Sequence, residues 1–152
     1  MSRPLKRHPG LQPLSREHHQ ILLLGFKIRQ GLRKHIEAQR IYDYCSWFFV
    51  NYLQPHFENE EFHLAKITGP NSELIRRLKV NHQEVKAAFK ELKASRIDLK
   101  AFEKVIVSHV RFEERVLFEE IQDKLTDEDI YYLRNHLQEQ KFQEHLQDVF
   151  WQ

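Results

Sequence analysis

Apolar residues recur along the chain at the three-and-four spacing of one helix face, in successive long stretches. The first carries Ile21, Leu22, Leu24, Gly25, Ile28 and Leu32, with Ser15 placed to cap it, and predicts a helix over residues 15–35. The second carries Ile41, Tyr44, Cys45, Phe48, Tyr52, His56, Glu60 and Leu64 on one broad face and stops before Thr68-Gly69-Pro70-Asn71. Pro55 falls inside it. A proline there removes one backbone hydrogen bond and crowds the turn before it, which predicts a kink near residue 51.

The third stretch, capped by Asn71 or Ser72, alternates by three and four through Ile75, Leu78, His82, Val85, Phe89 and Leu92. After a short connection at residues 95–98 the fourth presents Leu99, Phe102, Ile106, His109, Glu113 and Val116, and ends near Lys124. Thr126-Asp127-Glu128-Asp129 resembles a capping box and opens a shorter segment with Ile130, Leu133 and Leu137. A last amphipathic stretch reaches Phe150 and Trp151.

Short connections between helices of similar length predict an all-α fold: an antiparallel up-down-up-down four-helix bundle over residues 14–125, with an additional C-terminal helix over 126–152. That extension either lies on the bundle or forms a homodimer contact. The whole of residues 1–152 reads as a single domain.

Composition narrows the class. A chain of 152 residues with 41% apolar content can bury one sizeable core, and four glycines with five prolines suit long helices. A formal net charge of +2 argues against nucleic acid as a partner. No stretch approaches the ~20 apolar residues of a membrane span, and the opening residues hold no apolar run of signal-peptide length. The single Cys45 can form no internal disulfide, which points to a reducing compartment, the cytoplasm.

The ten histidines carry the candidate chemistry. His56 and Glu60 stand four residues apart on the second helix, and so do His109 and Glu113 on the fourth. Each pair spans about one turn, roughly 6 Å of rise, so imidazole and carboxylate face the same region. Both pairs lie on the buried stripe, where a glutamate is rarely placed without a partner or a metal. His82 holds the matching position on the third helix. His18 opens the apolar face of the first, and a one-residue change of phase puts His19 there instead. Four imidazoles and two carboxylates exceed what one tetrahedral ion takes and suit two octahedral ions bridged by both carboxylates. The bland alternative, a metal-free helical interaction protein with buried His–Glu pairs, leaves two carboxylates in a dry core with no cation.

The phrases SREHHQ, HFENEEFHL, VNHQEV and SHVRFEERVLF are similar, in order and in helix placement, to the four ligand-bearing segments of the hemerythrin-like, or HHE cation-binding, domains. The resemblance covers residues 14–125. It implies a metal site of His18, His56, Glu60, His82, His109 and Glu113 holding two iron ions with an oxo or hydroxo bridge. It also implies a small ligand such as oxygen, nitric oxide or peroxide at an open iron position. Oxygen carriers of this family place a further histidine four residues after the one matching His82, and here that position is Lys86. The departure puts simple oxygen carriage in doubt. The four-histidine pattern resembles di-iron proteins of nitrosative stress and iron-centre repair, so an enzyme and an iron sensor or store stand as alternatives.

His8, His35, His63, His136 and His145 have no acidic partner on the seam and are expected at the surface or in loops. Tyr52 is expected in the core, and Glu61 and Glu114 either solvated or behind the ligands.

Overall fold

The computed structural model describes residues 7–152; residues 1–6, the start of the opening segment, lie outside the described residues. The chain is helical, with no strand among the described residues. α1 spans Gln12–Arg33 and begins ahead of Ser15. Pro13 in its first turn brings a helical φ and needs no N–H partner there. Ser15 is therefore inside the helix rather than at its cap, and its hydroxyl donates to Glu114 Oε2 at 3.1 Å.

α2 (Ala38–Phe48) runs through a π turn at Phe49–Leu53 into α3 (Gln54–Thr68) with helical backbone throughout. The irregularity expected from Pro55 takes this form. Pro55 has no N–H to offer the Asn51 carbonyl one turn back, and that carbonyl instead accepts the Gln140 side-chain amide at 3.2 Å. α4 (Glu73–Lys93) is capped by Ser72, whose Oγ accepts the Ile75 N–H. α5 (Leu99–Phe112) is capped by Asp98 and continues through a second π turn, Glu113–Leu117, into α6 (Phe118–Lys124). α7 (Asp127–His136) opens on the capping box of Thr126 and Asp129.

α1 packs along α5, α5 along α4, and α4 against α3. Two apolar clusters form the core. One includes Ile21, Leu53, Phe57, Val85, Ile106 and Val110. The other includes Leu14, Leu64, Leu78, Leu117 and Leu133. Each long helical run passes from one cluster to the other: Leu14 to Ile21, Phe57 to Leu64, Leu78 to Val85, Val110 to Leu117. At each crossing, or one residue before it, the run carries the histidines and glutamates singled out above.

α7 packs on α3. The extension expected to be helical over 126–152 is helical only as far as His136. Beyond it backbone groups find side-chain partners in place of helical ones: the Gln140 N–H goes across the fold to Glu17 Oε2, and the His145 N–H to Oε1 of the adjacent Glu144. The segment runs along α1 and α2 and ends with Phe150 buried beside Gly31, where a Cβ would stand 2.8 Å from the ring. Among the described residues no helix is long and apolar enough to cross a membrane.

Candidate metal centre

α1 supplies His18, α3 supplies His56 and Glu60, α4 supplies His82, α5 supplies His109, and the second π turn begins with Glu113. All six are at most 2% exposed. The neighbouring His19 is exposed on the outside of α1, so the packing of this helix selects His18.

The two carboxylates face both ways. Their Oε2 atoms approach His18 Nε2, at 3.3 Å from Glu60 and 2.9 Å from Glu113, and Glu60 Oε2 stands 3.4 Å from His56 Nε2. Their Oε1 atoms approach His82 Nε2, at 2.7 Å and 2.9 Å, and Glu113 Oε1 stands 3.2 Å from His109 Nε2. Ligand atoms of His18, His56, His109 and Glu113 lie within 4.8 Å of one another, as do those of Glu60, His82 and Glu113. His109 therefore also lies close to the His18 and His56 side.

Every imidazole is held from behind. His56 Nδ1–H donates to Glu17 Oε1 at 2.6 Å, His18 Nδ1–H to Glu114 Oε1 at 2.9 Å, and His82 Nδ1–H to Glu61 Oε2 at 2.6 Å. His109 Nδ1–H donates to Asn81 Oδ1. Such bonds fix the ring and leave each Nε2 lone pair free to face inward, as a metal ligand requires. Glu17 and Asn81 are additions to the sequence reading. Glu17 carried a signal, since it lies three residues after Leu14 and four before Ile21 on the α1 stripe. Asn81 carried none.

The centre fits a cation. His18 Nε2, His56 Nε2, His109 Nε2, Glu60 Oε2 and Glu113 Oε2 are buried and make no hydrogen bond of acceptable geometry. Five orphaned polar atoms in one dry place are costly unless an ion satisfies them. Comparison with known proteins agrees. The hemerythrin HHE cation-binding domain model matches residues 10–121, well over half of the chain. The chain belongs to the hemerythrin HHE family. No curated protein and no solved structure matched it.

In this HHE domain the buried imidazoles and carboxylates shift one another's proton affinity. Burial disfavours the imidazolium of His18, but Glu113, Glu114 and Glu60 outweigh it and hold the group well above its ordinary value. His82 is raised in the same way, against burial, by Glu113, Glu60 and Glu61. Burial pushes His109 down to about 4. Burial works to raise Glu60, and the imidazoles of His56, His18 and His82 bring it well below the carboxylate range.

The remaining candidates separate cleanly. His63, expected at the surface, is buried because α7 folds over it, with Nδ1 3.0 Å from the Tyr132 hydroxyl. His35 and His136 are exposed, His8 accepts the Gly10 N–H, and His145 stacks on Trp47. None of these five joins the HHE centre. Tyr52 packs in the core against Phe48 and Phe142. Lys86 is half-buried, with its charge acting on Glu61. Cys45 is buried in the core, which pushes its thiol up to about 12.

Proposed function

We propose that this chain is a non-haem di-iron protein that binds a small ligand, oxygen, nitric oxide or peroxide, at an open iron position. The observation that carries the reading is the two-faced placement of Glu60 and Glu113, each with one oxygen toward His18 and the other toward His82. One ion would take His18, His56 and the Oε2 atoms. The other would take His82, His109 and the Oε1 atoms. Four protein donors for each octahedral ion leave room for a shared oxo or hydroxo bridge and for one exogenous ligand. Iron supplies the redox and ligand-binding chemistry. The protein supplies a dry, rigid cage whose rings are oriented from behind.

The reversal of direction between the two clusters supports an antiparallel up-down-up-down bundle, an architecture that builds dimetal sites from facing helices. A cleft of about 520 Å³ between α4 and α5 reaches Asn81 and His109 between apolar walls of Val80, Val85, Val105 and Phe112, which suits approach by a small ligand.

Metal analysis with the visible spectrum tests this. Protein from iron-replete cells should carry two irons per chain and show oxo-to-iron charge transfer, and a reversible new band should follow oxygen or nitric oxide addition to the diferrous form. No more than trace iron sinks the proposal. Sustained turnover with a reductant moves it to the enzymatic alternative.

A further inference from the structure

The C-terminal segment supplies no ligand, yet it ends a chain of contacts that begins at one. The backbone N–H of Gln140 donates to Glu17 Oε2 at 2.7 Å, and Glu17 Oε1 accepts the Nδ1–H of His56 at 2.6 Å. Glu17 is fully buried, and these two bonds engage both of its oxygens. The side chain of the same Gln140 donates to the Asn51 carbonyl, which Pro55 leaves without its helical partner one residue before His56. Gln140 thus holds both the carboxylate that orients His56 and the backbone turn that leads to it. It lies beyond residue 121, where the family match ends.

The other orienting carboxylates differ. Glu114, behind His18, is held by Arg7 at 2.8 Å and by the Ser15 hydroxyl. Glu17 takes its second bond from Gln140.

The segment is fastened along its length. Lys27 Nζ donates to Tyr44 at 2.8 Å and to Glu144 at 2.6 Å and lies over the faces of Trp151, Tyr44 and Phe142. Arg40 makes two bonds to Asp148, and Phe150 is buried. A segment fastened at these points has a defined position for the Gln140 amide.

We infer that residues 137–152 form a clasp whose Gln140 positions Glu17, and through it His56, so that the clasp governs how long the ion on the His18 and His56 side is retained. The inference rests on the dimetal reading above. Without the Gln140 N–H, Glu17 Oε2 is a buried carboxylate oxygen with no donor. The side chain then turns or draws in water, and His56 loses its fixed orientation.

The test compares Gln140→Pro, which removes the N–H, with Gln140→Ala, which keeps it and loses only the side-chain bond to Asn51. Both are loaded with iron and challenged with a chelator, and the ions released in each kinetic phase are counted. In Gln140→Pro one of the two irons should leave about 10–100-fold faster, the other at the wild-type rate, with Gln140→Ala closer to wild type. Wild-type rates for both irons overturn the inference. So does equal acceleration of both with a lowered Tm, which marks general loosening.

A second measurement needs no variant. Because coupling is reciprocal, loading iron should slow hydrogen exchange at the Gln140 amide relative to that of Leu137, which is bonded within the chain end to Leu133. Equal Gln140 rates with and without iron overturn the clasp. A protein that retains two irons while ignoring Gln140 sinks the clasp alone, whereas one that takes up no iron sinks the dimetal reading beneath it.

Discussion

One oxygen of Glu113 stands 2.9 Å from Nε2 of His18, and its other oxygen stands 2.9 Å from Nε2 of His82. A single side chain therefore joins α1 to α4 across the centre. Glu113→Ala should lose metal from both positions and fall below one ion per chain. His82→Ala should lose one ion and keep the other. Metal analysis after desalting distinguishes them, and a full complement in Glu113→Ala would show that the carboxylate does not bridge.

The outer oxygens should matter for affinity more than for folding. Asn81→Ala and Glu61→Ala remove the acceptors behind His109 and His82. Each should weaken metal binding at that pair about 10–100-fold with helical content unchanged. Chelator competition and far-ultraviolet circular dichroism measure the two effects separately.

Phe57 is fully buried, stacked on the His82 ring at 4.0 Å and edge-on to His109 at 5.2 Å. Phe57→Ala leaves a cavity between the first apolar cluster and the centre and should cost about 3–5 kcal/mol in urea unfolding. A cost under about 1 kcal/mol would show that the site closes around the gap.

Burial works to raise the Glu144 carboxyl, but the Lys27 ammonium and the Tyr44 hydroxyl outweigh it and hold the group below its ordinary value. A folded value below the unfolded one makes the contribution full above the unfolded value of about 4.3. It fades as pH falls through the folded value. The Tm difference between wild type and Glu144→Gln should be constant near neutral pH and shrink in acid. A difference that grows on acidification contradicts this sign.

The candidate ligand set is legible because each of its members falls on an apolar stripe, where a charged or polar residue has a physical cost that demands explanation. Helix phase alone leaves His18 and His19 open; packing of α1 against α5 decides it. Glu17 is legible by the same rule, on the α1 stripe beside two histidines. Asn81 is not, because its role depends on His109 of another helix. His63 and the clasp share one cause. Both depend on where the end of the chain folds back, and the helix-like composition after His136 gives way to the tertiary bonds of Gln140, Glu144 and Phe150.

The first π turn acts as a phase shifter. Each helical residue advances the side-chain direction by about 100°. The turn takes up one residue more than a regular helix would, and regularising it with no residue removed would swing His56 and Glu60 by that angle relative to Tyr44 and Phe48. The aromatic half of this helix and its histidine-bearing half are thus two registers spliced together, and a regular backbone of the same length would turn His56 and Glu60 away from the other candidate ligands.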